Sequence, residues 1–388
     1  MAGIKLKGNT SGEIVVQSPD VAGANTLTLP ASTGTVALQS SLGTRNLIIN
    51  GDMRIDQRNA GASVTQNTSV SYTVDRWSCY GSVASKFTVQ QNVEAVTPPS
   101  GFTNYLGITS SSAYTVGASE FFFVQQAIEG YNIANLGWGT SNAQTVTLSF
   151  YVRSSLTGTF GGTLSNGTTN RVYPFTYTIS SANTWEQKTV TITGDTTGTW
   201  SIDNTGGLVA NFNMGAGASV SGSAGAWSGS TLRAPTGATS VVGTSGATFY
   251  ITGVQLEAGE SATEFEHRPF DMELQRCKRY FYKIDGGLPV PSNTAIGAGF
   301  NISTTSGRIA IQNPVEMRDI PTFSYTGEIL LLNNIGNGIV ITSLSASFAN
   351  TVTAMLNFNV SSGMSSGNGT LAVTQNGTGN SFQADAEL

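Results

Sequence analysis

Within residues 145–152, Val146, Leu148, Phe150 and Val152 alternate with Thr147, Ser149 and Tyr151. A period of two places the four apolar side chains on one face of a strand and the polar ones on the other, which a helix cannot do. Residues 185–193 and 248–256 read as further strands bounded by Gly or Asn turns. The rest of the 388-residue chain agrees: it holds 46 glycines and only 11% charged residues, against about 25% in ordinary domains. So few charges cannot clothe a helical bundle, and 39% apolar residues are too many for disorder. The expectation is an all-β protein.

Residues 45–265 read as one domain, a two-sheet β-sandwich of jelly-roll type, with the Gly/Ala/Ser-rich stretch 210–248 as an elaborated loop. Phe121, Phe122 and Phe123 cannot all face one core, so one face of that strand is expected to meet another sheet or subunit. Residues 1–44 hold strand-like apolar pairs, Ile4/Leu6, Ile14/Val16, Leu27/Leu29 and Val36/Leu38, between Gly and Pro turns. A segment this short cannot shelter its own core, so these side chains are expected to be buried by copies of the segment or by docking on a larger body.

Nine charged residues crowd into 261–283, acids (Glu264, Glu266, Asp271, Glu273) early and bases (Arg268, Arg276, Lys278, Arg279, Lys283) late. With Pro269 suited to a first turn, the pattern predicts a connecting helix over 266–283 whose dipole is complemented at both ends. Phe270, Leu274, Cys277 and Phe281 form its apolar stripe, able to pack on the sandwich or to join a short coiled-coil seam. Residues 284–388 read as a second, smaller C-terminal β-domain, with the helix separating it from the first.

A net charge of −5 excludes a general nucleic-acid binder. The opening residues lack a signal-peptide pattern, and no run approaches the length of a membrane span, so a soluble protein made in the cytosol is expected, without membrane insertion. Cys79 and Cys277 read as small buried residues, and no His/Cys cluster suits zinc. His267, the single histidine, falls at a domain junction and reads as a side chain that is hydrogen-bonded or partly exposed there. No nucleotide loop is present, and neither cofactor nor metal is expected. A structural Ca²⁺ at Asp195 or Asp203 is the one metal the loops would suit.

Several segments resemble bacteriophage tail-fibre and related virion-fibre proteins. Residues 20–39, DVAGANTLTLPASTGTVALQ, are similar to the N-terminal segment of such fibres. Residues 46–58, NLIINGDMRIDQR, followed by Asp75-Arg76-Trp77, resemble the entry to their carbohydrate-binding-like jelly roll. Residues 251–259, ITGVQLEAG, with 265–268 and 276–282, resemble its exit, and 384–388, ADAEL, is similar to a fibre C-terminus. The resemblance implies a homotrimeric virion appendage. It would attach near its N-terminus to a phage tail or capsid protein and present β-domains to host surface polysaccharide. Ile4, Leu6, Ile14, Val16, Leu27, Leu29, Phe270, Leu274 and Phe281 are then the expected oligomerisation contacts.

Sugar recognition needs aromatic faces and a few polar groups. Tyr131, Trp138, Trp200 and Trp227 lie near predicted turns and are the candidates, although the same rings would serve equally as core or subunit contacts. Asp75 and Arg76 beside Trp77 read as a structural set, a buried pair or turn bonds. Hydrolysis would need two carboxylates, and Asp195/Asp203 or Glu120/Glu129 offer pairs by sequence alone. A non-enzymatic fibre is expected. The rivals are a purely structural capsid-attached or decoration protein and a polysaccharide depolymerase spike.

Overall fold

The computed structural model describes residues 3–7, 13–17, 44–286, 293–332, 338–377 and 379–388. It divides into two compact units, Met1–Gly43 and Thr44–Leu388. In the first, Gly3–Lys7 pairs antiparallel with Glu13–Gln17, setting Ile4 opposite Val16 and Leu6 opposite Ile14. Leu27 and Leu29 lie outside the described residues.

The second unit opens with a sandwich of two six-stranded antiparallel sheets. One sheet runs Val172–Ile179, Gly158–Asn166, Gly206–Ala216, Phe121–Glu129, Ser78–Gly81, Ser71–Tyr72. The other runs Glu186–Ile192, Val146–Ser154, Thr248–Ala258, Leu106–Ser110, Phe87–Gln91, Val64–Thr65. Val146, Leu148, Phe150 and Val152 are at most 1% exposed and face Leu208, Ala210, Phe212 and Met214 of the opposite sheet in one continuous core. In Thr248–Ala258 the alternation breaks at a bulge between Thr252 and Gln255. Gly253 takes φ +61° there, which a glycine adopts without strain, and Val254 and Leu256 return to the core.

The segment 46–58 closes one end of this core. Asn46 Oδ1 accepts from the Ile48 and Leu256 amides while its Nδ2 donates to the Val254 carbonyl. A β-carbon on Gly51 would stand 2.1 Å from the Val254 oxygen, so only glycine lets the segment lie this close. Trp77 is fully buried and donates its indole N–H to the Asn50 carbonyl at 3.1 Å. Asp75 and Arg76 are buried as expected, but not as a pair. Asp75 accepts from Gln57, whereas Arg76 pairs with Glu387 and lies 3.5 Å over the Tyr280 ring.

The helix is shorter than predicted, Phe270–Lys278 (α1), and Phe281 starts the strand Phe281–Asp285. Phe281 is thus no part of the stripe: it is 1% exposed, packed beneath the Arg58 guanidinium, and unavailable for oligomerisation. Pairing with Ser381–Asp385 draws residues 281–285 out of helical geometry. Leu274 and Cys277 pack against Ile49, Ile55 and Tyr280, so the stripe serves sandwich packing, while Phe270 stays 54% exposed.

Beyond the helix, Phe281–Asp285, Ser381–Asp385 and Thr322–Thr326 form a three-stranded sheet. A closed barrel follows in the order Thr294–Asn301, Ser306–Gln312, Thr353–Val360, Gly338–Ala349, Ile329–Leu332, Gly369–Thr374. The helix does not hold the barrel and sandwich apart. Residues 384–388 return to the sandwich, where Glu387 meets Arg58 and Arg76, Asp385 meets Arg58 at 2.8 Å, and Tyr72 donates to the Leu388 carbonyl.

Candidate functional site: the outer face of one sheet

Alternation along Phe121–Glu129 sends Phe122, Val124 and Ile128 into the core and Phe121, Phe123, Gln125 and Ala127 outward. Outside, Phe121, Phe123 and Tyr80 form a stack. Their centroids are 5.6–5.9 Å apart and the interplanar angles run from 5° to 22°. The run is divided between two faces, as the period of two requires, and the outer face, where the sequence predicts a second sheet or subunit, carries the ring stack. Phe123 is buried in the stack, whereas Tyr80 and Phe121 are half-buried.

Beside the rings runs a polar row. Register places Ser78 against Gln125, Gln125 against Asn211, and Asn211 against Thr163, one residue from each of four adjacent strands. Three strand spacings of about 4.8 Å make the row roughly 14 Å long. Asn211 points outward because Ala210 and Phe212 point inward, and its Oδ1 is buried without a hydrogen-bond partner. Such an atom forfeits its solvation unless something donates to it.

The loop 217–240 edges this face. Ser221–Gly222 pairs in parallel with Ala234–Pro235, and Pro235 sits where a side chain on Gly161 would clash. This delivers Arg233 to the stack, 5.0 Å from the Phe121 centroid. Its Nε is buried and unpartnered, and burial pushes its pKa below the usual guanidinium value.

The predicted sugar-binding aromatics lie elsewhere. Trp138 and Trp200 are 6% and 7% exposed and pack edge-to-face with each other and with Trp227, at 4.6–5.4 Å. All three indole N–H groups donate to backbone carbonyls, of Gln144, Thr197 and Thr193. These rings close an end of the core, so Trp138 and Trp200 have no face free for a sugar; Trp227 is partly buried against Tyr173. Tyr131 is 61% exposed and stands outside this cluster.

The outer face of the second sheet is also aromatic, but its polar atoms are engaged. Tyr105, Trp185 and Tyr250 meet at 5.2–6.5 Å; Tyr250 donates to Glu94 at 2.6 Å, and Trp185 to the Thr97 carbonyl. Arg153 lies 5.3 Å from the Tyr250 centroid and gives its Nε–H to Asn183.

The carboxylates paired in sequence are each held by other groups. Asp195 makes two bonds to Arg171, at 2.6 and 2.8 Å. Burial raises its pKa, but Arg171 and Thr197 outweigh that and hold it below the usual carboxylate range. Hydrogen bonds from Thr205 lower Asp203 as well. Glu120 is bound by Tyr114 and the Gly117 amide, and Glu129 by Arg279 and Tyr280. Among the described residues no cluster of three or more His, Cys, Asp or Glu could hold a metal, and Arg171 occupies the Asp195 oxygens a Ca²⁺ would need. His267 packs 4.9 Å from Phe265 and 5.3 Å from Phe102. Burial raises the Cys79 thiol to about 12 and holds the Cys277 thiol well above its usual value, so neither is a ready nucleophile.

Sequence reasoning separated Phe121 from Phe122 but missed Tyr80, Gln125, Asn211, Thr163 and Arg233. One signal was present: Arg233 is the sole charged residue between Asp203 and Glu257.

The strand order defines a jelly-roll β-sandwich joined to a closed β-barrel. No family model and no curated protein sequence matches the chain. Among solved structures, it is similar to the enzymatically active domain of bacteriophage CBA120 tailspike protein 4, with 13% identity and a TM-score of 0.30, over 55% of this chain and 21% of that one. It is also similar to the family 11 carbohydrate-binding module of Lic26A-Cel5E from Clostridium thermocellum. Identity there is 10% and the TM-score 0.27, over 49% of this chain and 91% of that one. The tandem CBM22-1–CBM22-2 domain of Xyn10C from Paenibacillus barcinonensis aligns at 10% identity and a TM-score of 0.26, over 85% and 97%. The chain spans about a fifth of the tailspike domain's length.

Proposed function

We propose that this chain is a non-enzymatic phage virion fibre, a tail fibre that binds host surface glycan on the outer face carrying Tyr80, Phe121 and Gln125. The observation that carries the glycan reading is the pair of half-buried rings, Tyr80 and Phe121, beside a polar row in which Gln125 is half-buried and the buried Asn211 Oδ1 has no partner. Rings accept the C–H faces of a sugar, and hydroxyl groups satisfy polar atoms that the protein leaves unmet. A shallow sheet face suits weak single-site binding, which several copies on one particle raise through effective concentration. The virion placement, the homotrimer and attachment through the N-terminal unit rest on the sequence resemblance. A lone two-stranded hairpin is at best marginally stable in water, which favours copies of that segment meeting one another.

The test uses the purified full chain on an array of bacterial surface polysaccharides, with polymer length and the protein's mass in solution followed by light scattering. Retention on polysaccharide with unchanged polymer length and a mass of three chains is expected. Shortened polymer would make the protein a depolymerase. Tight attachment to particles with no polysaccharide retained would make it a capsid-attached fibre or decoration protein. A stable monomer would overturn the trimer.

A further inference from the structure

We propose that the glycan recognised is acidic, a polymer whose sugars carry carboxylates, and that Arg233 receives one of them. This deepens the glycan reading above and rests on it.

All twelve arginines are buried or half-buried; among the described residues seven pair with an acid, Arg318 with Asp319 among them, whereas Arg45, Arg153, Arg233, Arg276 and Arg308 do not. Arg54 pairs with Asp52, Arg58 with Asp385 and Glu387, Arg76 with Glu387, Arg171 with Asp195, Arg268 with Glu273, and Arg279 with Glu129. Arg233 has no acid within ion-pair distance among the described residues, and its buried Nε lacks a partner, as do those of Arg58, Arg76 and Arg268. Arg153 also lies over a tyrosine, yet it gives its Nε–H to a carbonyl. A guanidinium half out of water, resting on a ring and lacking an anion, retains its donors for a planar bidentate partner, and a carboxylate fits that fork. The ring stack beneath holds the guanidinium in place through cation–π attraction, which limits the entropy lost when the anion binds.

Position agrees with chemistry. Arg233 stands over Phe121, four residues along the strand from Gln125, or about 13 Å from the polar row. One sugar ring cannot meet both ends, but an oligosaccharide segment can. Its carboxylate would lie at Arg233, a ring face on Tyr80, and its hydroxyl groups at Gln125. Phosphorylated or sulfated sugars share the negative charge, and the experiment separates them from carboxylates.

The full chain is probed on one array holding uronate-bearing bacterial polysaccharides, the same polymers after carboxyl reduction, and neutral, phosphorylated and sulfated polymers. Binding to the uronate polymers is expected, falling ten-fold or more after carboxyl reduction and by a similar factor in Arg233→Gln. Arg233→Lys should retain part of the binding, and the wild-type interaction should weaken with added salt. An unfolding curve for Arg233→Gln that matches wild type would show that the loss is not one of folding. Binding confined to phosphorylated or sulfated polymers would overturn the carboxylate assignment. Equal binding to native and reduced polymers, unaffected by Arg233→Gln but lost in Tyr80→Ala, would overturn the acidic-glycan inference and leave the glycan reading standing. Retention of no polymer at all would overturn both.

Discussion

The two outer faces of the sandwich use the same ingredients differently. Each has three aromatic rings within about 6.5 Å of one another and an arginine over one of them. On the face carrying Tyr105, Trp185 and Tyr250, residues 92–105 fold across and supply Glu94 and the Thr97 carbonyl as partners. On the face carrying Tyr80, Phe121 and Phe123, the loop 217–240 brings Arg233 but no acid, and Asn211 Oδ1 stays unmet. The aromatic content is alike; what separates the two faces is hydrogen-bonding capacity left unspent beside the rings.

The junction between sandwich and barrel is the extreme of the closed type and sets the largest effects. Arg76→Met would leave Glu387 buried with only Arg58 beside it and should destabilise the fold by about 3 kcal/mol, read from urea unfolding. Asp75, near the same junction, should give an effect of comparable order with pH. Burial raises its carboxyl from 3.8 to about 6, against hydrogen bonds from Gln57 that lower it. The folded state then holds the proton more tightly than the unfolded chain, so this contribution is present in full below about pH 4 and is lost as pH rises to about 6. Unfolding measured from pH 4 to 7 should show that slope flattened in Asp75→Asn.

The next effects divide the two faces. Trp185→Ala should cost about 2 kcal/mol of stability, because it opens a hole against Tyr105 and Tyr250, yet leave polysaccharide retention unchanged. A loss of retention without a loss of stability would reverse the roles of the faces. Tyr250→Phe removes one bond to Glu94 and should cost about 1 kcal/mol in the same assay. Asn211→Leu should show the smallest change in stability, near zero or slightly positive, because an unsatisfied buried oxygen is exchanged for an apolar group of similar size. Array binding should change less than in Tyr80→Ala, because the Asn211 side chain is 2% exposed and Gln125 is the reachable member of the row.

Much of the architecture could be read from the chain because it depends on short-range periodicity. The alternation at 146–152 gave a strand and its buried face, and the three phenylalanines at 121–123 had to divide between two faces. The helix end was misjudged because Phe281 continues the helical stripe in sequence, while pairing with residues 381–385, a hundred positions away, pulls it into a strand. The tryptophans could be read either way for a related reason. Turn-like flanks suggest exposure, but only the folded chain brings Trp138, Trp200 and Trp227 together to bury one another.

By itself the sequence determined an all-β chain, its division near residue 44, the core faces of its main strands and the isolation of Arg233 in an uncharged stretch. Those properties follow from composition and from a period of two, which act over a few residues. Tertiary structure alone decided which aromatics remain available, which carboxylates are already paired, and that Tyr80, Gln125, Asn211 and Thr163 share one face. Strand register sets these neighbours, and register is a relation between distant segments that no local pattern encodes.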